Sequence, residues 1–181
     1  MASKRWSCAL YFAGLALLGL LATACAPRYQ AVDSPSTPLS QFGHISLGHF
    51  TTSDFLDSIK GTPRYEKYLL PTADANSAVY EAVKSRLNKV RLTQGGPRLL
   101  LSADMENFST GSGATRALAM FGLVPSGVGQ GIVEYQVDLT SKGQRVATYT
   151  VRRPIKGGAK GAYDALGSDI VQFLVDHQSH E

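Results

Sequence analysis

The chain has 181 residues, of which 44% are hydrophobic and 18% charged, with a formal net charge of +4. This length allows one domain, or a domain with an appendage. Lys4 and Arg5 lie in an N-terminal leader without acids, so the rest of the chain carries a net charge of only +2. That balance is too mild to predict nucleic-acid binding. A multi-span membrane protein and a disulfide scaffold are excluded, because no second long apolar run exists and both cysteines, Cys8 and Cys25, lie near the N-terminus.

Residues 1–24 have the layout of a secretory signal peptide: a positive start, an uncharged apolar run and an ending in small residues. The ending Ala22-Thr23-Ala24-Cys25 resembles the bacterial lipobox. In that family the leader is cut before the cysteine, which is then acylated. The resemblance implies that Ala22, Thr23 and Ala24 are recognition positions and that Cys25 carries a diacylglyceryl group and an N-acyl chain. The alternative is a plain signal peptide cut after Ala24, with a chance cysteine beside it.

The residue after the cysteine is Ala26 rather than Asp. In Gram-negative lipoproteins an Asp at this position usually retains the protein in the inner membrane. The resemblance therefore implies an outer-membrane location, with the lipid anchor in the bilayer and the body facing the periplasm. Residues 25–42 are rich in proline and serine, which predicts a flexible tether rather than a strand or helix. No cofactor is expected apart from the covalent lipid.

Residues 43–181 form the predicted periplasmic domain, a single α+β unit of order β-α-β-β-β-α with a mostly antiparallel sheet and helices packed on one face. Alternating apolar residues predict the strands, and apolar residues at helical spacing predict the helices. In chain order we first expect a strand over 43–50, a short helix over 53–60 within an irregular stretch 51–72, and a helix over 75–91 capped by Asp74. Strands over 98–108 and 131–140 follow, and a hairpin turn at 141–143 leads into a strand over 145–153 that Pro154 ends. A final helix is marked by Ala162, Leu166, Ile170, Phe173 and Leu174.

The lipobox, the tether and an early strand with the pattern Ile45-x-Leu47-Gly48-x-Phe50 are similar to a diffuse group of uncharacterised bacterial lipoproteins. These in turn resemble the periplasmic domain of the curli secretion lipoprotein and the N-terminal domain of the translocation protein TolB. The best local match is a Gly- and Arg-containing loop over 111–117, followed by Phe121-Gly122. The resemblance implies a fold and a compartment more than an activity.

The segment 109–131 is the least ordinary part of the predicted domain. It has six glycines, one charge and an apolar middle. An exposed apolar patch commonly marks an interface, with lipid or with a neighbouring subunit. The candidate interface residues are Arg116, Leu118, Met120, Phe121 and Leu123. The alternative is a connection whose apolar side chains simply cap the core. The glycine spacing fits no phosphate-binding motif.

The C-terminal third contains an acid-free basic stretch. The candidate basic face consists of Lys142, Arg145, Arg152, Arg153, Lys156 and Lys160. Such a face would attract anionic lipid headgroups or an acidic partner. The alternative, which the pattern favours, is an ordinary solvated surface.

The sequence contains none of the usual catalytic signatures. Once Cys25 is acylated no cysteine remains as a nucleophile, and no G-x-S-x-G motif is present. Two carboxylate pairs, Asp104 with Glu106 and Glu134 with Asp138, each share a predicted strand face, but alternating acids on a solvated strand need no catalytic explanation. We therefore predict no catalytic residues.

The four histidines do not form a metal-binding pattern. His44 and His49 point to opposite strand faces, and His177 and His180 lie near the C-terminus without cysteine or carboxylate partners at ligand spacing. No metal site is expected.

These observations predict a non-enzymatic accessory, assembly or binding subunit of a cell-envelope complex, anchored in the outer membrane and bound to an unidentified envelope protein. The first alternative is a homo-oligomeric ring or secretion-pore subunit. The second alternative is an enzyme acting on an envelope polymer. Nucleic acid is not an expected partner, because the chain is exported.

Overall fold

The computed structural model describes residues 29–35, 37–90, 95–112, 123, 129–155 and 159–178. Its elements are β1 (Tyr29–Asp33), β2 (His44–Thr51), α1 (Ser53–Ser58), α2 (Arg64–Lys84), β3 (Arg98–Gly111), β4 (Gln130–Ser141), β5 (Gln144–Ile155) and α3 (Ala159–Asp176). The strands form one sheet of order β1-β5-β4-β3-β2. β2 and β3 pair in parallel, and the other three pairs are antiparallel. This confirms the predicted α+β class.

The core lies between one face of this sheet and the helices α2 and α3. Alternate residues of β3 and β4 face the helices and are buried, as their spacing predicts. These residues are Leu99, Leu101, Ala103, Met105, Val133, Tyr135, Val137 and Leu139. The five apolar residues that mark the final helix are buried as well. None of the described helices is long and apolar enough to cross a membrane.

The prediction that residues 26–42 contain no strand or helix was wrong. Tyr29–Asp33 forms β1 at the edge of the sheet, paired with β5. The Tyr29 hydroxyl donates a hydrogen bond to Asp176 of α3 (2.8 Å), and its ring meets the edge of Phe173 at 5.1 Å. Leu39, further along, is fully buried, and its backbone N–H donates to the carbonyl of His177 (2.8 Å). Contacts with β5, with α3 and with the residue after α3 therefore outweigh the flexible composition of this segment.

The helix α2 begins eleven residues earlier than predicted, at Arg64. Proline inside a helix removes a backbone donor, which is why the stretch before Asp74 reads as irregular. Here Pro71 is nevertheless inside the helix, and the Thr72 hydroxyl donates to the Tyr68 carbonyl (2.8 Å) in the turn that the proline weakens. Tyr68 and Thr72 are buried and extend the apolar stripe of the second half. Tertiary burial of this stripe outweighs the local cost.

The same helix ends at Lys84, not at the predicted residue 91. The side chains of Ser85 and Arg86 both donate to the carbonyl of Ala82, at 3.0 and 2.9 Å. These bonds satisfy a carbonyl that the last helical turn leaves without a backbone donor. Leu87 and Val90 still pack on the core, from a short 3-10 turn at Leu87–Lys89 and its flank.

The β4–β5 hairpin turn falls where it was expected. Lys142 and Gly143 both have positive φ, 51° and 78°, as a two-residue turn between right-handed twisted strands requires. The prediction that Pro154 ends β5 was wrong, since β5 continues to Ile155 and Pro154 pairs with Ile132. β1 covers β5 only as far as Val151, so Pro154 lies on a part of β5 without a second described neighbour, where proline is tolerated.

Candidate functional site: the open face and the loop end of the sheet

The predicted anchor lies outside the described residues. Ala22, Thr23, Ala24 and Cys25 all precede β1, so their roles in cleavage and lipidation stay predictions. The described chain begins at Tyr29, only four residues after Cys25. The folded part of the protein therefore starts much closer to the expected lipid than a tether of 18 residues implies.

The candidate interface segment leaves the sheet at one defined end, which we call the loop end. Here β3 finishes at Gly111, β4 begins at Gln130 and β5 finishes at Ile155. Gly111 pairs with Gln130, and the Ser112 N–H donates to the carbonyl of Gly129 (2.9 Å), so both ends of the segment are held together.

Four of the five candidate interface residues lie outside the described chain. These four are Arg116, Leu118, Met120 and Phe121. Leu123 is described, and its side chain is 69% exposed. A large apolar side chain in this position is not part of the core, which fits the interface interpretation at this one residue.

The structure does not gather the six basic candidates onto one face. Lys142 lies in the β4–β5 turn at the far end of the sheet, whereas Lys160 lies in the first turn of α3 at the loop end. Arg145 and Arg152 are seven residues apart along β5, or about 23 Å at the usual rise per strand residue. Lys156 lies outside the described residues.

Arg153 points away from the solvated surface, and its place in the basic face was wrong. It lies on the helix side of β5 and makes a two-bond ion pair with Asp169 of α3; the bond from Nη2 is 2.5 Å long. Only 19% of the Arg153 side chain and 12% of the Asp169 side chain are exposed. Successive strand residues face opposite sides, so Arg152 and Arg153 cannot share one surface. Arg153 joins the sheet to a helix.

The second face of the sheet, which we call the open face, has no described helix against it. Most of its side chains on β4 and β5 are polar, and several of them contact a side chain of the neighbouring strand, although Leu100 and Ile132 also lie on this face. Thr148 donates to Asp138 (2.5 Å), and Arg145 lies 3.6 Å from the same carboxylate. Arg152 lies 4.0 Å from Glu134, its direct partner across β4 and β5. The open face is thus a polar surface in which acids on β4 stand beside arginines on β5.

Three of the four acids singled out in the sequence take part in such structural contacts. Asp104 accepts a hydrogen bond from Thr51, and Glu134 and Asp138 face arginines as described above. Glu106 does not share a regular face with Asp104, because the β3–β4 register shifts between Met105 and Asn107. Desolvation raises the pKa of Glu106, and the neighbouring carboxylates, Asp54 foremost, raise it further.

The described histidines are dispersed. His44 and His49 are exposed on β2, while His177 stacks on Phe173 and donates from Nδ1 to its carbonyl (2.9 Å). His180 lies outside the described residues. Within the described ranges, no group of three or more His, Cys, Asp or Glu side chains is arranged to hold a metal ion.

An open cleft of about 380 Å³ lies at the loop end, between α2 and α3. Its walls are mostly apolar, with a carboxylate and two hydroxyls among them. The lining residues are Pro71, Asp74, Phe108, Thr110, Ile155, Ala159 and Tyr163. Burial raises the pKa of Tyr163, and the nearby Asp74 adds to this shift. Sequence periodicity could not reveal this cleft, because it depends on the first half of α2.

No family model matches the chain, and no curated protein matches it. Among solved structures, it is similar to the PelC dodecamer from Paraburkholderia phytofirmans, with 13% identity over 81% of this chain and 98% of that chain and a TM-score of 0.43. It is also similar to a single-substitution variant of that dodecamer, with 16% identity over 84% and 98% and a TM-score of 0.39. Both scores are too low to support an argument about function. Neither structure is a curli secretion lipoprotein or a TolB domain, so the comparisons do not support that resemblance.

Proposed function

We propose that the protein is an outer-membrane lipoprotein, anchored through Cys25, that acts as a non-enzymatic accessory or assembly subunit by binding another protein of the cell envelope. The lipobox-like ending of the leader supports the anchor. The observation that carries the binding role is the open face. It is mostly polar, it has no described helix against it, and its arginines lie beside carboxylates of the neighbouring strand. Exposed pairs of this kind contribute little to stability, so their charges remain accessible to a partner surface.

The charge pattern of the open face indicates the kind of partner. On the open face Glu134 of β4 lies beside Arg152 of β5, and Asp138 lies beside Arg145, so the face carries two separate acid–arginine pairs. A protein surface with opposite charges at these two places would complement both pairs. Complementary charges of this kind contribute specificity and association rate more than raw affinity.

Photo-cross-linking in the native envelope tests this proposal. Gln136 lies between Glu134 and Asp138 in the centre of the open face, and Ser168 is exposed on α3 on the other side of the domain. A photoreactive residue at position 136 should capture a discrete envelope protein, whereas one at position 168 should not. Equal capture at the two positions, or none at position 136, would contradict a binding role for this face.

The second candidate function is a self-assembling ring subunit, which the exposure of Leu123 favours. Contact through the sheet edges is disfavoured, since both edge strands are irregular. The register of β1 shifts between Ala31 and Asp33, and that of β2 between Leu47 and Phe50. Irregularities of this kind protect edges against further strand pairing. A ring would therefore be expected to use the candidate interface segment.

Light scattering separates the two candidates. A ring subunit should have a discrete oligomeric mass both as the lipidated, detergent-extracted protein and as a soluble chain beginning at Ala26. Phe121→Asp should then reduce that mass, while the matched change Ser168→Asp on α3 should leave it unchanged. A monomer in both preparations would reject the ring and leave the binding subunit.

A further inference from the structure

The direction of β1 determines where the N-terminal anchor leaves the domain. β1 runs antiparallel to β5, with Tyr29 opposite Val151 and Asp33 opposite Thr148. β5 runs towards the loop end and finishes there at Ile155. The chain before Tyr29 is therefore directed towards the loop end, not towards the β4–β5 turn.

The distances along the sheet are short. Val151, opposite Tyr29, is four residues from the end of β5, which is about 13 Å at the rise of an extended strand. Cys25 is also four residues from Tyr29, so an extended chain between them spans about 13 Å as well. A lipid on Cys25 therefore reaches the level of the loop end with little chain to spare. The β4–β5 turn lies a further seven residues behind Val151, about 23 Å away.

Exposed apolar side chains belong to the elements that meet at the same end. Leu70 is 75% exposed and Leu69 is 38% exposed in the first half of α2. Their neighbour Pro71 lines the loop-end cleft together with Ile155. Leu123, which is 69% exposed, belongs to the segment that leaves the sheet there. Three of the four large exposed hydrophobic residues in the described chain thus lie on elements of the loop end, the fourth being Val32 on β1.

We propose that the loop end lies against the surface of the membrane that holds the Cys25 lipid, with Leu70 and Leu123 in contact with the bilayer interface. This inference rests on the proposed lipidation. The acyl chains on Cys25 hold the protein at the membrane, and apolar side chains that lie at the bilayer interface add a second contact, which determines the orientation of the domain. The lipid limits the distance from the membrane, and the leucines select which end faces it.

This orientation has a consequence for the open face. The strands run from the membrane into the periplasm, so the open face stands upright and is accessible from the side. The β4–β5 turn with Lys142 and Gly143 is then the part of the sheet farthest from the membrane. A partner bound to the open face would lie alongside the domain rather than beneath it.

Fluorescence quenching in vesicles tests the orientation. The full lipidated protein is reconstituted in phosphatidylethanolamine–phosphatidylglycerol vesicles that contain a lipid with a quencher near its headgroup. Leu70→Cys, Leu123→Cys and the matched control Lys142→Cys each carry an environment-sensitive dye. Once Cys25 is acylated, the introduced thiol is the one free thiol of the mature chain. Dyes at positions 70 and 123 should be quenched at least about threefold more than the dye at 142, since interfacial side chains lie within about 10 Å of the headgroups.

Equal quenching at all three positions, or stronger quenching at 142, in protein that floats with the vesicles would overturn the orientation and leave the anchor intact. Protein that does not float, and whose N-terminal peptide has the mass of unmodified Cys25, would overturn the proposed lipoprotein and the orientation with it. Flotation and peptide mass therefore distinguish the two failures.

A longer tether provides a second test. Inserting about twenty Gly and Ser residues after Pro27 adds roughly 25 Å of average reach. Because the short tether limits the distance to the membrane, quenching at position 70 should fall by about half or more while the protein still floats. Unchanged quenching would overturn the role assigned to the tether.

Discussion

Gly167 of α3 lies directly against Ala82 of α2. A methyl group on Gly167 would come within 2.5 Å of the Ala82 Cβ and within 3.1 Å of the backbone behind it. Two small residues therefore set the distance at which the two main helices cross. Gly161, six residues earlier in the same helix, has no atom within 4 Å of the place where its Cβ would be.

This pair of glycines gives a matched prediction. Gly167→Ala should lower the free energy of unfolding by about 1–3 kcal/mol, because added atoms in a packed core force the helices apart. Gly161→Ala should raise it by about 0.5–1 kcal/mol, because alanine is the better helix former. Urea unfolding of a soluble chain beginning at Ala26 measures both. A Gly167→Ala protein as stable as the parent would contradict the close helix contact.

The ion pair between Arg153 and Asp169 should matter far more to stability than the pairs on the open face. Asp169→Asn leaves a largely buried guanidinium without its counter-charge, so the free energy of unfolding should fall by about 3 kcal/mol. Arg152→Gln removes a pair in which 58% of the arginine side chain is exposed. It should change the free energy of unfolding by no more than about 0.5 kcal/mol. Similar losses in the two variants would show that Arg153 is better solvated than its 19% exposure implies.

The bond between Tyr29 and Asp176 predicts how stability depends on pH. Desolvation, and then the hydrogen bond and charge of Asp176, raise the pKa of Tyr29 from 10.0 to about 12. A raised pKa means that the folded state holds its proton longer than the unfolded state. The contribution of Tyr29 is therefore complete below pH 10 and is lost as the pH rises towards 12.

The comparison with Tyr29→Phe isolates this effect. Other buried tyrosines, such as Tyr135, have raised pKa values as well, but their shifts are common to both proteins. The parent should be more stable than Tyr29→Phe at pH 8 to 9, and the difference in urea midpoint should shrink above pH 10. Parallel curves over this range would contradict the contact between β1 and α3.

A substitution in the β4–β5 turn can stabilise the protein, because Lys142 has a positive φ that favours asparagine or glycine over lysine. Lys142→Asn should raise the free energy of unfolding by a few tenths to about 1 kcal/mol. Gly143→Ala, at a φ of 78°, should lower it by about 1 kcal/mol or more. Thermal unfolding of the two variants checks the prediction, and a loss of stability in Lys142→Asn would argue against this turn geometry.

The parts of the fold that could be predicted are those in which one face of an element is buried. In β4 every second residue from Val133 to Leu139 is fully buried, so simple alternation identifies both the strand and its inward face. The stripe from Ala162 to Leu174 identifies α3 in the same way. The register, the bulges and the pairing partner of each strand depend on contacts between segments that are distant in sequence. The periodicity of a single segment therefore does not predict them.

The missed elements are those in which distant contacts outweigh local composition. β1 is five residues long and lies among prolines, and it is held by the contacts of Tyr29 with Asp176 and Phe173. The first half of α2 contains Pro71, and burial of Tyr68 and Thr72 holds it in place. Tyr68, Thr72 and Ala75 continue the spacing of the later stripe, and this was the one signal that could have revealed the earlier start.

The candidate site shows the same division. The lipobox is a local pattern and could be recognised from the sequence. The distribution of the basic residues over the two faces of the sheet could not. Arg152 and Arg153 are adjacent in sequence but belong to opposite sides of the sheet. The helices α2 and α3 cover only one side of the sheet, and which side they cover depends on tertiary packing. Composition alone therefore could not distinguish the exposed Arg152 from Arg153, which is partly buried against α3.

The measurement that tests the central claim most directly is the mass of the N-terminal peptide of the mature protein, extracted from membranes in detergent. The account predicts a peptide that begins at Cys25 and carries a diacylglyceryl group and an N-acyl chain. A mature chain that begins at Cys25 without lipid, or one that retains the leader, would contradict it.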